Sequence, residues 1–256
     1  TETYVVDLSN PTNATILDNQ GTGTIVDQVG VDASPAADDT ATITLSGPPT
    51  VTEGATATYT VSVDVAPAVN LTVDVVTGFV TTDAGDLTPV TTTVTILAGT
   101  TSTTVDVLTT DDNVDENDET YTVNVSNPVG GGYENVTIGT ANVTTTISDN
   151  DDAPAISIDD VSIDEQNGIM VYTVSLSNPS ASAVTVDFTT ANGSATAGAD
   201  YTATTGTVSF AAGVTSQTIT VAVNDDALAE GTETYVVDLS NPTNATILDN
   251  QGTGTI

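Results

Sequence analysis

An all-β chain of tandem antiparallel β-sandwiches is the architecture this sequence predicts, and three observations carry it. Val, Ile and Thr dominate a 256-residue chain that holds only 3 Phe, 7 Tyr and no Trp. Branching at Cβ stiffens these side chains and favours strands over helices. Apolar and polar residues alternate in short runs, the signature of strands with one buried face. Residues 1–25, TETYVVDLSNPTNATILDNQGTGTI, recur without one difference at 232–256, so the chain is periodic at an offset of 231.

The strands follow in order. Tyr121, Val123 and Val125 alternate with polar neighbours, as do Val184, Val186 and Phe188. Ile219, Val221 and Val223 repeat the pattern, and Tyr235, Val237 and Leu239 close it. Turn clusters such as SNP, GG, NGS and AGAD separate them at short intervals. About seven short strands per hundred residues is the density of a sandwich. The stretch DALAEGTE is the sole helix candidate, and it is no longer than a turn or two.

Inside the long period lies a weaker one. VTEG at 51–54, AGDL at 84–87, TTDDNVDENDETYTVNVSNP at 109–128 and TTTISDND at 144–151 form one set. IDEQNG at 163–168, AGADY at 197–201, VNDDALAEGTETYVVDLSNP at 223–242 and GTGTI at 252–256 form a second in the same order. Domains are therefore expected at 41–152 and 153–256, the latter with its closing residues beyond 256. Residues 26–40 read as a linker. Residues 1–25 read as the closing strand pair of a preceding or neighbouring-subunit domain.

Charge decides what chemistry is open. The chain has 35 Asp+Glu and no Lys, Arg or His, a formal charge of −35, and it has no Cys. Without cations it offers no phosphate-binding surface, which excludes nucleic acid and repels anionic membrane. No run of 18 apolar residues exists to insert into a bilayer. Schiff-base lysine, catalytic histidine and thiol nucleophile are all missing, as are the nitrogen and sulfur ligands of zinc, copper and iron. What remains is oxygen chemistry, the ligand set of hard cations and above all of calcium. Mutual repulsion destabilises the folded state, and the counter-charge must come from solution.

The ordered set V-x-E-G, G-x-D-Y, D-D-x-x-x-E-x-x-E-x-[FY]-x-V-x-[LV]-S-N-P and I-x-D-x-D resembles the Calx-beta domain, which occurs in sodium–calcium exchangers and large bacterial surface adhesins. The resemblance implies tandem Calx-beta-like (immunoglobulin-like) antiparallel β-sandwich domains, with calcium held at one end by loop carboxylates. In the first domain the matching ligands are Glu53, Asp86, Asp111, Asp112, Glu116, Asp149 and Asp151, with Glu119 and Asp152 adjacent. In the second they are Glu165, Asp200, Asp225, Asp226 and Glu230, with Asp164 and Glu233 nearby. The closing I-x-D-x-D of that repeat appears near the N-terminus as Ile25-Val26-Asp27-Gln28-Val29, where Asp27 alone keeps the pattern. Fewer ions are expected there than in the first domain. Leu87 stands where the family prefers Tyr, a change that touches packing. An EF-hand around 111–122 is excluded, because Thr122 falls where the bidentate Glu belongs.

The expected function is that of a structural subunit or stalk of an extracellular filament or adhesin, rigidified by Ca2+. Alternatives are a calcium-sensing regulatory module and a ligand-binding adhesive domain. No enzymatic activity is expected. The expected partners are further copies of the chain, joined either as one continuous array or by strand donation between subunits.

Overall fold

The computed structural model describes residues 2–25, 40–225 and 230–256. Asp27, Asp226, the start of DALAEGTE and most of the 26–40 linker lie outside the described residues. The chain divides into two compact units, residues 1–110 with 119–147 and residues 111–118 with 148–256. Segment 111–118, which the repeat assigns to the first domain, thus groups with the second unit.

In the first unit, β1 (Glu2–Asp7) and β2 (Gln20–Ile25) form a two-stranded sheet of their own. The sandwich is built from β3 (Thr40–Ser46), β4 (Thr50–Thr52), β5 (Thr56–Val63), β6 (Leu71–Phe79), β7 (Thr91–Ile96), β8 (Ser102–Leu108), β9 (Glu119–Gly130), β10 (Asn135–Thr140) and β11 (Asn142–Ser148). One sheet runs β10-β3-β5-β8 and the other β4-β11-β9-β6-β7. A single core draws on both: Ile43, Tyr59 and Val61 from one, Val73, Val75, Tyr121 and Val123 from the other. Pro48 and Pro49 follow β3, and Pro cannot donate to a ladder; the chain leaves one sheet there and enters the other as β4.

The second unit repeats the plan with β12 (Ala155–Ile158), β13 (Val161–Ser162), β14 (Ile169–Leu176), β15 (Val184–Asn192), β16 (Thr205–Phe210), β17 (Ser216–Ala222), β18 (Thr234–Thr243), β19 (Thr246–Ile247) and β20 (Gln251–Thr255). Its sheets run β17-β14-β12-β19 and β13-β20-β18-β15-β16. Most pairs are antiparallel. Parallel pairs join β10 to β3, β12 to β19 and β13 to β20. A 3-10 turn at Glu165–Asn167 closes on Gly168, whose φ of 69° suits glycine.

The alternation read from sequence sets the burial. Tyr121, Val123 and Val125 are buried, as are Val184, Val186, Ile219, Val221 and Val223. Phe188 is half-buried against the same core. One reading needs correction. SNP does not end a strand but sits inside β9 and β18. Asn127 and Asn241 take φ of 49° and 50° where the ladder to β6 or β15 slips register, so each motif is a bulge. The Asn127 side-chain amide donates to Asp74 Oδ2 at 3.1 Å, and Asn241 does the same to Asp187.

Buried tyrosines supply the rest of the packing. Tyr59 and Tyr121 meet edge-on, with the hydroxyl of Tyr59 donating to that of Tyr121 at 2.9 Å. The Tyr59 hydroxyl also shares a short hydrogen bond with Thr145 Oγ1. In the second unit Tyr172 meets Tyr235 edge-on, and Tyr201 stacks on Tyr235 at 4.2 Å.

Candidate metal centre

The acidic residues stand where strands end. In the second unit, buried Tyr201 pins the loop that carries Asp200: its ring stacks on Tyr235 and its hydroxyl donates to Asn192 Oδ1 at 2.7 Å. The Asp200 carboxylate accepts from the Thr196 N–H at 2.6 Å and from the Thr196 hydroxyl at 3.1 Å. The Asn224 N–H donates to the Asp200 carbonyl at 2.9 Å, tying the loop to the segment after β17. The Val223 N–H donates to the Gly168 carbonyl at 3.0 Å, which brings the turn holding Glu165 to the same end.

Three carboxylates converge there. One oxygen each from Asp200, Glu230 and Glu233 lie within 4.8 Å of one another. Burial pushes the Glu233 carboxyl above its ordinary range, and the neighbouring Asp200 and Glu230 charges add to it. Three such groups at that spacing repel strongly unless a cation stands among them. Calcium–oxygen bonds of about 2.3–2.6 Å separate two ligands of one ion by up to about 5 Å, so this donor set fits calcium.

The triad selects among the residues read from sequence. Asp200 and Glu230 belong to it, and Glu233, read only as a neighbour, completes it. The E-x-x-E spacing before β18 is its signal in the sequence. Glu165 lies in the 3-10 turn and Asp225 is exposed after β17.

The remaining candidates occupy other loops. Glu53 stands in the turn between β4 and β5, where the Gly54 N–H donates to the Thr110 carbonyl at 3.1 Å. The Thr110 N–H donates to the Asp86 carbonyl at 2.8 Å, so the backbones carrying Glu53 and Asp86 meet at Thr110 in the first unit. Leu87 anchors Asp86 as Tyr201 anchors Asp200; it is fully buried and bridges to Thr109. Asp111, Asp112, Glu116, Asp149 and Asp151 lie in the second unit, where segments 111–118 and 148–151 meet. The Glu116 N–H donates to Asp149 Oδ2 and the Asn150 amide to Asp111 Oδ1, each at 3.3 Å. Asp118, which the motif did not single out, accepts from the Ser148 hydroxyl and the Asp149 N–H at 3.3 Å.

Comparison with known proteins bears on this site directly. Residues 149–254 match the family model described as Calx-beta domain. This segment belongs to the Calx-beta family. Its Calx-beta domain contains Asp200, Glu230 and Glu233. Residues 39–150 match a different model, described as LapA domain. No curated protein matches the chain. Among solved structures, the crystal structure of CBD12 from CALX1.2 is 22% identical, covering 78% of this chain and 81% of that one at a TM-score of 0.39. The apo-form Calx CBD1 domain is 24% identical, covering 41% of this chain and 96% of that one at 0.40. The calcium binding domain CBD12 of CALX1.1 is 20% identical, with shares of 79% and 80% and a score of 0.39. Overlays this loose carry no argument about the site. Calx-beta domains are, as a family, calcium-binding modules without enzymatic activity.

Proposed function

We propose that the chain is a structural segment of an extracellular filament or adhesin stalk, in which Ca2+ bound by loop carboxylates stiffens β-sandwich repeats. The observation that carries this is the Asp200–Glu230–Glu233 triad at one end of a Calx-beta domain, in a chain with no cationic side chain to neutralise it. Of those residues, Asp200 supplies a carboxylate fixed by Thr196, while Glu230 and Glu233 supply two from the approach to β18. The other acidic segments, with Glu53, Asp86, Asp111, Asp112, Glu116, Asp149 and Asp151, extend the same oxygen-rich chemistry. Extracellular modules hold calcium at about 10⁻⁴–10⁻³ M, which suits a location outside the cell. The protein's role in this reading is mechanical and involves no catalysis.

Thermal melting of the chain with millimolar calcium and with chelator tests the proposal. A site with Kd of about 10⁻⁴ M contributes about 1.4 kcal/mol at millimolar calcium, so the midpoint should fall by several degrees on chelation. The triple variant Asp200→Asn, Glu230→Gln, Glu233→Gln should lose part of that shift. Magnesium should substitute poorly, since it demands tight octahedral geometry. A midpoint indifferent to calcium would overturn the assignment.

A further inference from the structure

The hairpin of β1 and β2 repeats, residue for residue, a hairpin that the second unit buries. Its register is the same: Tyr4 faces Gly23 as Tyr235 faces Gly254, and Asp7 faces Gln20 as Asp238 faces Gln251. Its internal bonds are the same. The Gln20 amide donates to Asp7 Oδ1 at 2.9 Å, and the Gln251 amide to Asp238 Oδ1 at 2.7 Å. The Leu8 N–H donates to the Asn19 carbonyl at 2.8 Å, and Leu239 to Asn250 at 2.8 Å. Asn10 and Asn13 hold positive φ, as do Asn241 and Asn244. In both copies the tyrosine ring lies over the facing glycine, where any Cβ would collide.

Only the surroundings differ. Tyr235, Val237 and Leu239 are 0%, 0% and 4% exposed, because β18 and β20 are flanked by β15 and β13 and face the core. Tyr4, Val6 and Leu8 are 52%, 52% and 59% exposed. An isolated two-stranded hairpin is marginal in water, and a row of apolar side chains beside unpaired strand edges is a template for pairing. The surface that fits this hairpin is already drawn in the second unit. It is the sandwich of residues 153–231, which packs against the identical sequence at 232–256.

We infer that residues 2–25 are a strand-donor hairpin whose seat is the 153–231 sandwich of a second copy of this chain. The seat accepts it when that copy's own 232–256 hairpin is unseated. Donor and displaced hairpin carry the same side chains, so the interactions broken and re-formed are equal in energy, and covalent attachment keeps the resident hairpin in place. Weakening the resident hairpin alone tips the exchange towards the visitor. The interface is heterologous, between the front of one chain and the rear of another, so it propagates head to tail. It does not depend on calcium, and it can fail while the calcium reading holds.

Full-length variants test it. Val237→Asp places an unpaired charge in the seat of the resident hairpin and leaves residues 2–25 intact. By sedimentation velocity this variant should form oligomers that lengthen with concentration, and the melting transition of its second unit should persist. Val6→Asp should stay monomeric, like the parent chain. The double variant, with no intact donor, should be monomeric and lose the second transition. The inference is overturned if Val237→Asp and the double variant behave alike, whether both aggregate or both stay monomeric. It is equally overturned if Val237→Asp is a monomer that keeps its second transition.

Discussion

Asn127 and Asn241 show how much one side chain settles. Each adopts a left-handed backbone that costs most residues about 1–2 kcal/mol, and each anchors a cross-strand aspartate. Asn127→Ala should destabilise the first unit by about 2 kcal/mol, backbone strain and lost hydrogen bond together. Asn127→Gly keeps the backbone freedom and should cost about 1 kcal/mol, the hydrogen bond alone; chemical denaturation of the pair separates the two. The aspartates respond to pH. Hydrogen bonds from Thr93 and then Asn127 hold the Asp74 carboxyl below its usual range, and Thr207 and then Asn241 do so for Asp187. A folded-state value below the unfolded one gives stability that is present above the ordinary aspartate range. That stability is lost as pH falls through the folded value. Thr93→Val with Thr207→Val should therefore flatten the decline in stability between about pH 4 and pH 2, compared with the parent chain at the same salt. Neither asparagine could be read as a bulge from sequence, because S-N-P has turn chemistry and only the partner strand shows that the ladder continues past it.

At the scale of strands, one sequence occupies two opposite environments. Leu239 on β18 is buried, and its copy Leu8 after β1 is exposed. Leu239→Ala should cost about 2–5 kcal/mol and Leu8→Ala under about 0.5 kcal/mol in the monomer, measured by denaturant unfolding. Sequence alone assigns both the same environment, since a pattern reports which face is apolar and not whether anything covers it. The inward faces were legible for a simple reason: period-two alternation in Tyr121, Val123 and Val125 leaves one register that buries them. The hydroxyl cluster of Tyr59, Tyr121 and Thr145 was not, because it depends on which rings meet across the sandwich. At the site, the order of acidic motifs pointed to the right loops. The choice of Glu233 over Glu165 and Asp225 follows from how the Asp200 loop closes against the approach to β18, a long-range pairing that spacing does not encode.

For the molecule as a whole, the charge of −35 with no cationic side chain means that dissolved salt can only weaken repulsion, never break an internal ion pair of side chains. Raising sodium chloride from about 0.01 to 0.15 M shortens the screening length from about 30 to 8 Å. The melting midpoint in chelator should rise over that range, with calcium adding a further, saturable increment. The parallel pairing of β13 with β20 has one more consequence. In the second unit these strands lie near the start and the end of the fold and run side by side in the same direction. Tension applied through the two chain ends drags them past each other lengthwise, so their hydrogen bonds are loaded together in shear instead of being unzipped one by one. A link wired in that way resists pulling best along the direction in which its chain enters and leaves.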